Sequence, residues 1–146
     1  MKRLIVLFFI VILTTCCSDG DDYYYQLVPI ESSDFPEFFE YGYVYEVSVQ
    51  YKVSNDCFLY PDLIYEYDQD ARNVAIVGTF VDENSCSPEE VLFDYVFRVH
   101  AIQTEDYIFR LWQGEDENGD SIYEEVIVPV VNVNNKVEHG FKETHT

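Results

Sequence analysis

From Tyr43 to Val53 every odd position is apolar (Tyr43, Tyr45, Val47, Val49, Tyr51, Val53), while Glu46, Ser48, Gln50 and Lys52 fall between them. A period of two predicts a long strand with one buried face. The pattern returns from Val91 to Ala101, with Val91, Phe93, Tyr95, Phe97, Val99 and Ala101 on one face and Asp94, Arg98 and His100 on the other. Val74 to Val81 is β-branched and apolar on both faces, as a central strand is. Further strands are expected at Gln26 to Ile30, Phe58 to Tyr67, Tyr107 to Gln113 and Ile122 to Val133, and no stretch of similar length reads as a helix. Pro129 cannot donate to a ladder, so the last strand is expected at an edge or with a bulge. The prediction is an all-β chain: a single two-sheet antiparallel β-sandwich of about seven strands spanning residues 26–136, followed by a polar tail at 137–146.

The N-terminus has a different pattern. Met1-Lys2-Arg3 is basic, and Leu4 to Leu13 is an unbroken run of ten apolar residues. A bilayer span needs about 20, so the run reads as a cleaved export-signal helix. The residues that follow, Leu13-Thr14-Thr15-Cys16, resemble a bacterial lipobox. That resemblance implies a signal peptide at 1–15, a diacylglyceryl group on Cys16, and membrane attachment without a transmembrane helix. Cys17 is the alternative acceptor, although cleavage before it would put Thr14 where Leu is preferred. Ser18-Asp19-Gly20-Asp21-Asp22 is too polar to pack and opens a lipidated acidic tether over 16–25. The tether resembles those of Bacteroidota lipoproteins, flavobacterial ones in particular. This implies an outer-membrane location and display on the cell surface, with the periplasmic face as the alternative.

Composition sharpens both readings. The chain has 146 residues, with 28 Asp plus Glu against 8 Lys plus Arg, a formal charge of −20. Loss of residues 1–15 leaves 6 basic side chains against 28 acidic, or −22. Such a charge repels phosphate backbones, so nucleic acid is not an expected partner. The aromatic share of 17% is too rich for a disordered acidic tail. In an exported chain, Cys57 and Cys86 read as one disulfide. Two cysteines 29 apart make a poor metal site, and no metal or cofactor is expected.

Candidate chemistry is sparse. No nucleophile elbow, phosphate loop or His-rich motif is present; His139 and His145 lie in the polar tail. With 28 acids some pair must lie close in space, as a glycosidase requires, yet no spacing selects one. The loop from Gly114 to Glu125 places Asp116, Asn118, Gly119 and Glu125 at the third, fifth, sixth and twelfth positions of a calcium loop, but Gly114 stands where an Asp is required. The competing reading is a hairpin tip with Asn118-Gly119 in a type I′ turn; weak calcium binding by Asp116, Asn118, Asp120 and Glu125 stays open as an addition. Asp120-Ser121-Ile122 resembles the three-residue O-glycosylation acceptor of Bacteroidota, a motif short enough to recur by chance. Trp112 falls out of phase with Tyr107, Phe109 and Leu111, which marks it as the first residue to test for a binding face. Tyr23 to Tyr25 are expected to precede the first strand.

The segment from Glu105 to Trp112, with the hairpin and Val-rich strand after it, resembles the last two strands of immunoglobulin-like bacterial domains. The resemblance implies topology and no activity. The expected function is a non-enzymatic binding, adhesion or envelope-architecture module on a lipid anchor, with an unknown protein or glycan ligand. The alternatives are a glycan-binding accessory lipoprotein, which needs exposed aromatics around Trp112, and an immunoglobulin-like proteinase inhibitor.

Overall fold

The computed structural model describes residues 23–81 and 86–131. Among these there is no helix. The strands are β1 (Tyr23–Val28), β2 (Ile30–Asp34), β3 (Phe39–Glu40), β4 (Val44–Asn55), β5 (Phe58–Asp68), β6 (Ala71–Val81), β7 (Pro88–His100), β8 (Tyr107–Glu115), β9 (Ser121–Val128) and β10 (Val130–Val131). They form a β-sandwich-like pair of sheets, neither closed into a barrel.

The first sheet is built around β6. One edge of β6 pairs antiparallel with β5 over its whole length. The other edge is shared: β1 runs antiparallel to Ile76–Val81, and β8 runs parallel to Ala71–Val74. Flanked on both edges and covered on both faces, β6 is buried almost throughout, as its apolar composition predicts. β9 completes this sheet beside β8. The second sheet has the order β2-β4-β7, all antiparallel. A short parallel pair, β3 with β10, lies apart from both.

Two prolines redirect the chain. Pro29 interrupts one extended stretch, so that β1 belongs to the first sheet and β2 to the second. Pro129 separates β9 from β10, and its carbonyl accepts the Phe39 N–H at 2.8 Å. The expected strand over Ile122 to Val133 is therefore broken where its ladder donor is missing.

The core fills the space between the sheets. Val47, Val49 and Tyr51 of β4 and Val99 of β7 face Val74, Ile76 and Phe80 of β6 and Phe109 and Leu111 of β8, each no more than 3% exposed. Phe39 meets Tyr107 edge to face at 5.1 Å, a geometry that ring quadrupoles favour. Gly78 is required by a close approach: a Cβ there would stand 2.5 Å from the Phe80 ring.

Several expectations change at this level. Tyr23 to Tyr25 do not precede the first strand; they are its beginning, opposite Val81, Phe80 and Thr79. The stripe from Val91 to Ala101 is buried only from Phe97 onward, and Phe93 remains 38% exposed on an edge strand although its partner on β4, Tyr51, is a core residue. The β8–β9 hairpin is present, but not as a type I′ turn. Among the described residues with positive φ, Gly119 (+84°) is in the loop and Asn118 is not, and the Gly119 N–H bonds the Asp116 carbonyl at 3.0 Å. This is a longer loop that needs one left-handed residue, and glycine supplies it.

Candidate functional site

β5 pairs only with β6, and β7 only with β4, so both are sheet edges. The sandwich opens between them into a cleft of about 500 Å³, within the size range of small-ligand sites. Tyr65 and Tyr67 of β5 form one wall, Phe97 and Val99 of β7 the other, and Tyr107 and Arg72 lie at one end. Among the described residues no Asp or Glu lines the cleft, although the chain carries 28.

Arg72 continues the inward phase of β6, two residues before Val74, and is only 5% exposed. Its guanidinium carbon lies 4.2 Å from the Tyr107 ring centroid and 5.0 Å from that of Tyr67, so aromatic faces take up part of its charge. The Nη2 group donates to Gln103 Oε1, and Nη1 reaches the Asp70 carbonyl at 3.5 Å. Gln103 is held in that orientation because its amide nitrogen donates to the carbonyls of Glu105 and Asp106, each at 3.1 Å. The Nε–H has no partner. The ion pairs of the described residues involve Lys52, Arg98 and Arg110, never Arg72. Arginine is rarely buried this fully without a carboxylate partner, which makes this position unusual.

The surroundings are rigid on one side and free on the other. Tyr107 is 2% exposed, its hydroxyl donates to the His100 carbonyl at 3.1 Å, and it accepts the Ile102 N–H at 3.0 Å. Tyr67 is 73% exposed. Burial pushes the Tyr65 hydroxyl up to about 12, while the charge of Arg72 and its hydrogen bond pull the other way.

The residues singled out from sequence are placed differently. Trp112 is 7% exposed, and its indole N–H donates to Ser121 Oγ at 3.2 Å. It lies on the outer face of the first sheet beside Leu27, Ile64 and Tyr123. Its position out of phase with Tyr107, Phe109 and Leu111 puts it on this other face, and there the ring is covered and offers no flat exposed platform. Asp116 Oδ1 accepts the N–H groups of Asn118 (2.8 Å) and Asp120 (2.9 Å), and Asn118 Nδ2 donates to Oδ2 at 3.2 Å. The backbone bonds from Asp120 and Asn118 hold the Asp116 carboxyl below its ordinary range. Its oxygens close the turn instead of pointing together at an ion. Glu125 lies 3.6 Å from the Arg110 Nε, directed along the sheet. Asp116, Asn118, Asp120 and Glu125 thus do not converge as a calcium loop.

Cys57 and Cys86 form a disulfide with Cα atoms 5.5 Å apart, joining the start of β5 to the approach to β7. The only three-group cluster of metal-ligating side chains among the described residues, Asp56 with Cys57 and Cys86, has both sulfurs consumed in that bond. Cys16 and Cys17 lie outside the described residues, as do His139 and His145. Arg72 was not visible as a site from sequence. The available signal was a basic residue in the inward phase of a strand otherwise apolar on that face.

No family model, curated protein or solved structure matches the chain.

Proposed function

We propose that the protein is an exported, lipid-anchored, non-enzymatic binding module. Cys16 carries the lipid, with Cys17 as the alternative acceptor, and the domain is displayed at the surface of the outer membrane. The observation that carries this reading is the direction in which the chain enters the domain. Tyr23, where the described residues begin, pairs with Val81 at one end of β6. Arg72 lies nine residues away at the other end, about 30 Å at roughly 3.3 Å per residue. The cleft thus lies at the end of the sheet remote from the point where the chain joins the domain, a placement that suits a tethered binding module.

The sandwich is read as immunoglobulin-like. Supporting this, Tyr107 stands at the start of β8 and bonds back to the His100 carbonyl, the arrangement of a tyrosine corner. The parallel pairing of β6 with β8 departs from the purely antiparallel sheets of that fold. The covered indole of Trp112 weighs against the glycan-stacking alternative in its original form.

Metabolic labelling with radiolabelled palmitate, combined with protease shaving of intact cells, tests the proposal. The wild type should incorporate label and lose its domain to protease while a periplasmic marker survives. Cys16→Ala should accumulate unlabelled precursor. Label retained after replacement of both Cys16 and Cys17 would overturn the lipid anchor, and a protected domain would overturn surface display.

A further inference from the structure

We infer that the cleft between β5 and β7 binds a singly charged organic carboxylate, with Arg72 as its counter-ion. The inference rests on reading the domain as a binding module. Three cationic or ionisable side chains, Arg72, Arg98 and His100, line a cleft in which, among the described residues, no acid takes part, within a chain of charge −20. The charge of Arg98 is answered outside by Glu46 Oε1 at 3.0 Å. That of Arg72 is answered by no carboxylate among the described residues. Its guanidinium lies against the Tyr107 and Tyr67 rings, and Gln103, the Asp70 carbonyl and the Tyr65 hydroxyl take up hydrogen bonds around it. Among the described residues the Nε–H has no partner. A carboxylate matches the Nε–H edge, because the planar fork of a guanidinium accommodates two oxygens side by side.

The rest of the cleft selects the ligand's form. Tyr65 and Phe97 present ring surface, so the body attached to the carboxylate is a ring or an apolar chain. The overall field of the protein repels anions, and the penalty grows with each ligand charge, so a monoanion is favoured over phosphate or sulfate. Tyr67 is the exposed ring at the mouth, whereas Tyr107 keeps the guanidinium in place through its own two hydrogen bonds.

The test is a titration of the wild-type full chain in detergent micelles, following arginine Nε–H resonances by heteronuclear NMR. The probes are glucuronate and phenylacetate, with methyl glucoside, phenylacetamide and sulfate as comparisons. One of the two carboxylates should shift a single arginine Nε–H resonance saturably, and the neutral probes should not. A response to glucuronate alone identifies sugar acids as the source, and a response to phenylacetate alone identifies aromatic acids. Arg72→Gln should abolish that resonance and weaken binding at least tenfold, while Arg110→Gln, outside the cleft and paired with Asp68 and Glu125, leaves binding within twofold. Equal response to the neutral probes or to sulfate would overturn the inference. So would the absence of any shift in the wild-type chain, a result that does not depend on whether Arg72→Gln folds. Palmitate labelling is independent of this titration, so failure of the anchor and failure of the carboxylate site are separately visible.

Discussion

Asp116 shows how one carboxylate can be claimed by its own backbone. Its two oxygens accept three hydrogen bonds from Asn118 and Asp120, and the loop between β8 and β9 closes around it. These bonds favour the charged form and hold its pKa below the ordinary value. A group whose pKa is depressed on folding adds stability above its unfolded value, and that stability is lost as pH falls through the folded value. Asp116→Ala should therefore unfold at lower urea than the wild type at pH 7, and the gap should shrink below about pH 4, the range where an unperturbed aspartate titrates. Urea titrations at pH 7, 4.5 and 3 check this. A gap that stayed constant across the series would mean that the loop does not depend on the carboxylate's charge. The same bonds explain why this turn, acidic as it is, does not gather into a calcium loop: an acceptor spent on two backbone N–H groups is not aimed at an ion.

At the scale of elements, the disulfide reinforces a junction that hydrogen bonds already mark: Asp56 N–H donates to the Ser87 carbonyl at 3.2 Å, and Ser87 N–H donates to Asp56 Oδ1 at 2.7 Å. Cys57 immediately precedes the edge strand β5 of one sheet, and Cys86 precedes β7 in the other. The two strands flank the cleft, and no ladder connects them. Closing a loop of about 30 residues constrains the unfolded chain, a contribution of about 3.5 kcal/mol in the chain-entropy model. Replacing both cysteines with serine should lower unfolding stability by about that much, measured by urea denaturation, while palmitate incorporation stays unchanged; a loss below about 1 kcal/mol would place the constraint elsewhere. This pair was legible in the sequence because, once the chain is read as exported with its other two cysteines at the lipid site, Cys57 and Cys86 leave little choice. The strands β4 and β6 were legible too, since one-sided and two-sided burial write different periods into Val47 to Val53 and Val74 to Val81. Other features leave no local trace. The parallel contact of β6 with β8 joins residues more than 30 apart in sequence and depends on where β1 ends. Trp112 announced its face by its phase. Its burial, however, is set by side chains from β1, β5 and β9, next to a register shift that places Gln113 outside the pairing. Arg72 lay just before the recognisable apolar run, so its inward direction emerged only with the strand's full length from Ala71.

The whole molecule carries 20 more negative than positive charges, and folding brings them together. Salt acts on this in two opposing ways. It screens the long-range repulsion among carboxylates, with a Debye length falling from about 30 Å at 0.01 M to about 10 Å at 0.1 M. It also screens favourable pairs such as Arg98 with Glu46 at 3.0 Å and Lys52 with Glu90 at 3.8 Å. Exposed pairs of that kind are each worth about 0–1 kcal/mol, and they engage few of the 28 acids. Repulsion is the larger effect, so at pH 7 the urea midpoint of the full chain should rise between 10 and 200 mM NaCl. Near pH 4.1, where the net charge vanishes, the same salt step should leave the midpoint almost unchanged. A midpoint that fell with salt at pH 7 would show that the ion pairs outweigh the repulsion. A rise of equal size at both pH values would identify general salt exclusion from the surface, which strengthens apolar burial whatever the charge. The difference between the two pH values isolates the charge effect, and it is the same field that disfavours multiply charged ligands at the cleft.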